Sequence, residues 1–113
     1  MYVDDPAYIE DILIAARNAD KFVKGCEYED FEADSMCQAA VIRQLELIGE
    51  AVKCLTEAFR DRHPEVPWKR MAGMRDVLIH GYRRVNVSDV WKTVKELIPG
   101  LIDKAEAILS EED

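Results

Sequence analysis

The sequence predicts an all-α protein, an up-and-down bundle of four to five helices, and three observations carry that prediction. Apolar residues recur at spacings of three and four over long stretches, and none of those stretches alternates as a half-buried strand would. Capping and proline signals fall just before the stretches, as at Asp5-Pro6, Ser35, Pro67 and Ser88. At 113 residues with 49% hydrophobic side chains, the chain can bury one core as a single domain over 1–113.

The first helix opens with Asp5 as N-cap and Pro6 in its first turn. Ile9, Ile12, Leu13, Ala16 and Val23 then trace one apolar stripe as far as a stop at Gly25. Residues 26–34 read as an acidic connector with one short turn, in which Tyr28 and Phe31 cover the core. Ser35 caps a long second helix expected to run to about Arg62. Its seam is Val41, Leu45, Ile48, Val52, Leu55 and Phe59. A second line of Ala40, Leu47, Ala51, Cys54 and Ala58 makes that helix either central in the bundle or shared with a partner subunit. Arg43, Glu46 and Glu50 lie between the two lines. They are either surface pairs or a source of a glutamate that reaches toward Arg75.

His63-Pro64 and Val66-Pro67 separate this helix from the next, which places His63 in a surface loop. The following stripe is Trp68, Met71, Ala72, Arg75, Ile79 and Tyr82, so an arginine interrupts an otherwise apolar face. A guanidinium there needs a carboxylate, a phosphate or an interface. Ser88 caps the last helix, in which Val90, Trp91, Val94, Leu97, Ile98, Leu101, Ile102, Ala105 and Ile108 face inward. Pro99 predicts a kink between Lys95 and Gly100.

Composition narrows the function classes. No apolar run reaches membrane-spanning length, and the start at Asp4-Asp5-Pro6 does not read as a signal peptide. Cys26, Cys37 and Cys54 are odd in number and lack metal-ligand spacing, which predicts reduced thiols, a cytoplasmic setting and no bound metal or cofactor. The net charge of −8 argues against general affinity for nucleic acid. One basic tract qualifies that: Arg60, Arg62, Lys69, Arg70, Arg75, Arg83 and Arg84 are opposed there only by Asp61, Glu65 and Asp76.

The stretch Met74-Arg75-Asp76-Val77-Leu78-Ile79-His80-Gly81-Tyr82 concentrates the chemistry. Arg75 and Tyr82 fall nearly on one helix face, and Asp76 stands within one turn of His80, close enough to accept its N–H. Arg75 and His80 are about 140° apart around a helix, so one straight helix does not aim both at a single atom. Either the helix ends near Gly81 or a second copy of the chain completes the site. His80 taken alone reads as a core or capping histidine. Tyr82 reads equally as a buried interface aromatic.

Arg75, four residues, His80, one residue, Tyr82 resembles the signature of the HEPN superfamily, and more narrowly of the HepT-like toxins. Leu47-Ile48-Gly49-Glu50-Ala51, Val66-Pro67-Trp68, Ala72-Gly73-Met74-Arg75 and Val90-Trp91 extend the resemblance over nearly the whole chain. Where the family often carries asparagine, this chain has Asp76, which adds a negative charge beside the expected RNA site. The resemblance implies a helical homodimer in which two motif copies line one cleft. It also implies metal-independent endoribonuclease activity, and Arg75 and His80 correspond to its catalytic pair. The partner it implies is a minimal nucleotidyltransferase, the antitoxin of a type VII toxin–antitoxin system, which attaches AMP to the tyrosine matching Tyr82. Cleavage by the RNA 2′-hydroxyl suits these side chains: His80 can serve as base or acid, Arg75 clamps the phosphate, and Asp76 and Glu50 support them. Two other classes stay open. One is a non-catalytic helical subunit that presents nucleotide or substrate to the nucleotidyltransferase. The other is a purely structural adaptor.

Overall fold

Helical periodicity is realised throughout the computed structural model, which describes residues 4–80 and 85–112. Among the described residues seven α-helical segments follow one another: α1 (Asp5–Phe22), α2 (Tyr28–Glu32), α3 (Ser35–Cys54), α4 (Glu57–Arg62), α5 (Trp68–His80), α6 (Val87–Lys92) and α7 (Ile98–Glu112). The described residues include no strand. The closest helix pairs are α1–α3, α3–α5 and α1–α7, while α2 packs on α3 and α6.

The two stripes that the sequence marks most strongly form the core. Ile9, Ile12, Leu13, Ala16 and Val23 are buried, as are all six seam residues from Val41 to Phe59. Phe31 is buried under Trp91, with Tyr28 edge-on to the same ring, so the acidic connector does cover the core.

Helix boundaries depart from the expected ones by a residue or more, each time for a hydrogen-bonding reason. Asp4 rather than Asp5 caps α1, accepting from the Ala7 amide at 3.0 Å. Asp34 rather than Ser35 caps α3, and Asn86 rather than Ser88 caps α6. A carboxylate or amide oxygen one or two residues earlier reaches the exposed amides first. The long second helix also stops sooner than Arg62. It ends at Cys54, and Thr56 caps a separate α4. The Asp5 carboxylate accepts from both the amide and the hydroxyl of Thr56, at 2.9 and 2.8 Å, and so ties the break to the start of α1.

Pro99 is absorbed without ending the last helix. A π-helical turn spans Thr93–Leu97, and the Ile98 amide donates to the Thr93 carbonyl. The wider turn lies where a proline ring would otherwise meet the carbonyl four residues earlier. His63 departs furthest from its sequence expectation. It is buried, stacks on Phe59 at 4.8 Å, and places Nδ1 3.5 Å from Glu65. Its carbonyl and that of Arg60 accept the Trp68 indole N–H at 2.9 and 3.1 Å, which anchors the start of α5 to the end of α4.

Candidate functional site

Helix α5 carries the motif. Its inward line is Trp68, Met71, Arg75 and Leu78 at spacings of three, four and three, with the three apolar members buried. Ile79, expected on this face, is 39% exposed, and Val77 is 59% exposed. The face that meets α3 is set by Leu78, and Ile79 lies about 100° further round the helix. Arg75 therefore enters the interface between α3 and α5, where its side chain keeps 26% exposure.

Gly49 makes room for it. A Cβ at Gly49 would lie 2.2 Å from Arg75 Cβ and 2.8 Å from the Met71 carbonyl oxygen. Any side chain at that position would push the two helices apart or eject the arginine. Helical periodicity assigns Gly49 no task, although a glycine inside a long helix, disfavoured by about 1 kcal/mol against alanine, was the available signal.

One turn beyond Gly49, Lys53 projects from α3 toward the same place. Its ammonium pairs with Oδ1 of Asp76, and Arg75 Nη1 donates to that same oxygen at 3.2 Å. Hydrogen bonds from Lys53 and then from Arg75 hold the Asp76 carboxyl below its usual range. Asp76 is therefore an anion paired to two cations. Sequence reasoning missed Lys53, whose spacing of four from Gly49 placed it on the correct face. Arg75 Nε is out of solvent and has no acceptor among the described residues. A buried donor left so costs about 1–3 kcal/mol, which marks the arginine as held by packing more than by its own bonds.

Two expected contacts are absent among the described residues. Asp76 does not accept from His80, because Lys53 and Arg75 draw its carboxylate toward α3. Glu50 does not reach Arg75: it is exposed and lines a groove of about 510 Å³ between α1 and α3, with Tyr8, Asn18 and Leu47. Glu46 pairs instead with Arg43 at 3.4 Å. Neither glutamate meets Arg75, and Asp76 supplies its carboxylate.

His80 is exposed in the last turn of α5. The helix is unbroken from Arg75 to His80, so the offset of about 140° between the two side chains persists. Gly81, Tyr82, Arg83 and Arg84 lie outside the described residues. Among the described residues, no three His, Cys, Asp or Glu side chains gather as a cation site, and no helix is long and apolar enough to cross a membrane. All three cysteines are free thiols.

Fold and site together define an all-helical protein whose outer helix presents a packed arginine and a solvent-facing histidine. The chain belongs to the HepT-like ribonuclease family, a HEPN-type family whose profile, described as ribonuclease HepT-like, matches residues 12–108. It is 50% identical over 101 residues to a protein of Thermococcus cleftensis named "probable ribonuclease HepT", covering 89% of this chain and 92% of that one. A protein of Caldanaerobacter subterraneus, named provisionally as an RNase, is 46% identical over 93% of this chain and 94% of its own length. Another so named, from Methanocaldococcus jannaschii, is 40% identical over 93% of this chain and 96% of its own. No solved structure matches the chain.

Proposed function

We propose that this chain is a metal-independent endoribonuclease, a single helical domain that acts in the cytoplasm as a homodimer and serves as the toxin of a toxin–antitoxin pair. The observation that carries the reading is Arg75. It is kept on the buried line of α5 by Gly49 and followed by exposed His80, in a chain of the HepT-like ribonuclease family. A guanidinium cannot lose its proton at working pH, so its task is to bind phosphate oxygens and offset charge on the phosphorane.

The RNA 2′-oxygen attacks the adjacent phosphorus while a base removes its proton. The bond to the 5′-oxygen breaks as an acid protonates that oxygen, which leaves a 2′,3′-cyclic phosphate. Since His80 and Arg75 of one chain point about 140° apart, the acid and the base are His80 side chains of two protomers facing one cleft. The exposed apolar residues Val77 and Ile79 flank His80 and supply contact area for the second copy. An interface of ordinary size buries on the order of 1,200–2,000 Å² in total.

The partner is a minimal nucleotidyltransferase that transfers AMP from ATP to the Tyr82 hydroxyl and releases pyrophosphate. The added phosphate would pair with Arg75 and occupy the place of the RNA backbone.

Cleavage of RNA by the purified chain in EDTA tests the reading. His80→Ala should lose roughly 10²–10⁴ in rate, and Arg75→Lys should also fail because a point charge does not replace a planar clamp. No cleavage by the parent protein would favour a non-catalytic subunit that presents nucleotide or substrate. Intact mass after incubation with the nucleotidyltransferase and ATP tests the tyrosine: an AMP-sized gain that persists in Tyr82→Phe would place the modification elsewhere.

A further inference from the structure

Two cations from different helices meet on one oxygen. Lys53 from α3 and Arg75 from α5 both bind Oδ1 of Asp76, and no other carboxylate joins them among the described residues. Lys53 and Asp76 remain 40% and 48% exposed, so the cluster is open to a ligand. A phosphate oxygen placed between the two cations would meet the donors that Asp76 now meets. Among the described residues Arg75 Nε–H also has no acceptor, so Asp76 does not satisfy the guanidinium. The three groups carry one net positive charge in a chain of net charge −8.

We propose that Lys53 is a second phosphate-binding residue of this site, and that Asp76 is a tethered counter-anion which an RNA phosphodiester displaces from Lys53 and Arg75. The proposal rests on the ribonuclease reading and extends it to a residue on another helix. Asp76 holds the two cations extended and in register while the site is empty. It also competes with RNA, because an anion leaving the pair must be replaced by one that binds both donors at least as well. The same arrangement could otherwise be an ion pair that merely joins α3 to α5. The two possibilities predict different responses when the carboxylate is neutralised.

Binding is measured by fluorescence anisotropy of a labelled single-stranded RNA at several salt concentrations. A His80→Ala background keeps the RNA intact. Lys53→Gln should weaken binding on the order of three- to tenfold and reduce the slope of log affinity against log salt by about 0.7 for each phosphate it no longer neutralises. Asp76→Asn should tighten binding by a similar factor. Lys53→Gln should weaken binding again when combined with Asp76→Asn, since the lysine acts on RNA directly. Both side chains are solvent-exposed, and thermal melting confirms that each variant is folded. If Lys53→Gln has no effect once position 76 is neutral, or Asp76→Asn weakens binding, the pair is structural and the proposal is wrong. Cleavage by the His80-containing parent separates the two levels. RNA cleaved normally with Lys53 irrelevant overturns only the phosphate role of Lys53, whereas a parent that neither binds nor cleaves RNA overturns the ribonuclease reading as well.

Discussion

Helices α1 and α5 both pack against α3, but they are built for opposite ends. Helix α1 also lies against α7, and along it Ile9, Ile12, Leu13, Ala15, Ala16 and Ala19 are all buried. Among the described residues helix α5 packs closely on α3, with α6 across a small cleft lined by Leu45, Met74, Leu78 and Val90. Only Trp68, Met71 and Leu78 of its thirteen residues are buried. Arg75 takes the place where a fourth apolar residue would stand. The difference shows where a small helical domain can keep reactive side chains. A helix packed on two sides spends its residues on the core. A helix packed on one side retains a free face for polar chemistry.

Substitutions that strike the two helices separately should part stability from activity. The largest effect on folding is expected at Ile12, which is 1% exposed. Ile12→Ala removes methylenes and leaves a cavity, a loss of about 2–5 kcal/mol measurable by denaturant unfolding. Cleavage per folded molecule should be unchanged, and a proportional loss of cleavage would mean that α1 takes part in the site. Gly49→Ala comes next. Its added methyl has no room beside Arg75 and Met71, so overpacking should lower stability by about 1–3 kcal/mol. Here cleavage should fall much further than stability, because the arginine itself is displaced. A Gly49→Ala protein with normal cleavage would show that the close approach of α3 and α5 does not position Arg75.

Val77→Asp probes the open face of α5. With 59% of the side chain exposed, the change should alter monomer stability by no more than about 0.5 kcal/mol. Sedimentation should nonetheless show dissociation to monomers, with cleavage abolished. A dimer that survives the change uses another surface.

The smallest effect concerns pH. The Asp76 carboxyl titrates below its usual range because Lys53 and Arg75 hydrogen-bond to its charged form. Its folded-state value is lower than its unfolded one, so its stabilising contribution is complete above the ordinary carboxylate range and is lost as pH falls through the depressed value. The melting temperatures of the parent and Asp76→Asn should therefore differ by a constant amount near neutrality and converge in strong acid. As the pair is exposed, the difference should be slight. A gap that widens as the pH falls would contradict the assignment of both cations to Asp76.

What the sequence determined by itself was periodic or local. The stripes of α1 and α3, the covering role of Phe31 and the disturbance ahead of Pro99 all follow from spacings of three and four, and from the geometry of a residue lacking an amide. The place of Arg75 on an inward line was legible in the same way. The resemblance around Arg75 and His80 named the family to which the chain belongs. Tertiary structure alone decided the rest, because the groups concerned are far apart in the chain. The break before Thr56 depends on Asp5, 51 residues away. The carboxylate at Asp76 had a nearby histidine available by spacing, yet bonds to Lys53, 23 residues back, because Gly49 lets α3 come close enough to deliver it. His63 has a loop signature and is buried, since the Trp68 indole closes over its carbonyl and Phe59 lies beneath its ring. Periodicity says which face of a helix is covered. Which side chain on the covering helix waits there depends on the distance of approach, and in this protein a single glycine sets that distance at the arginine.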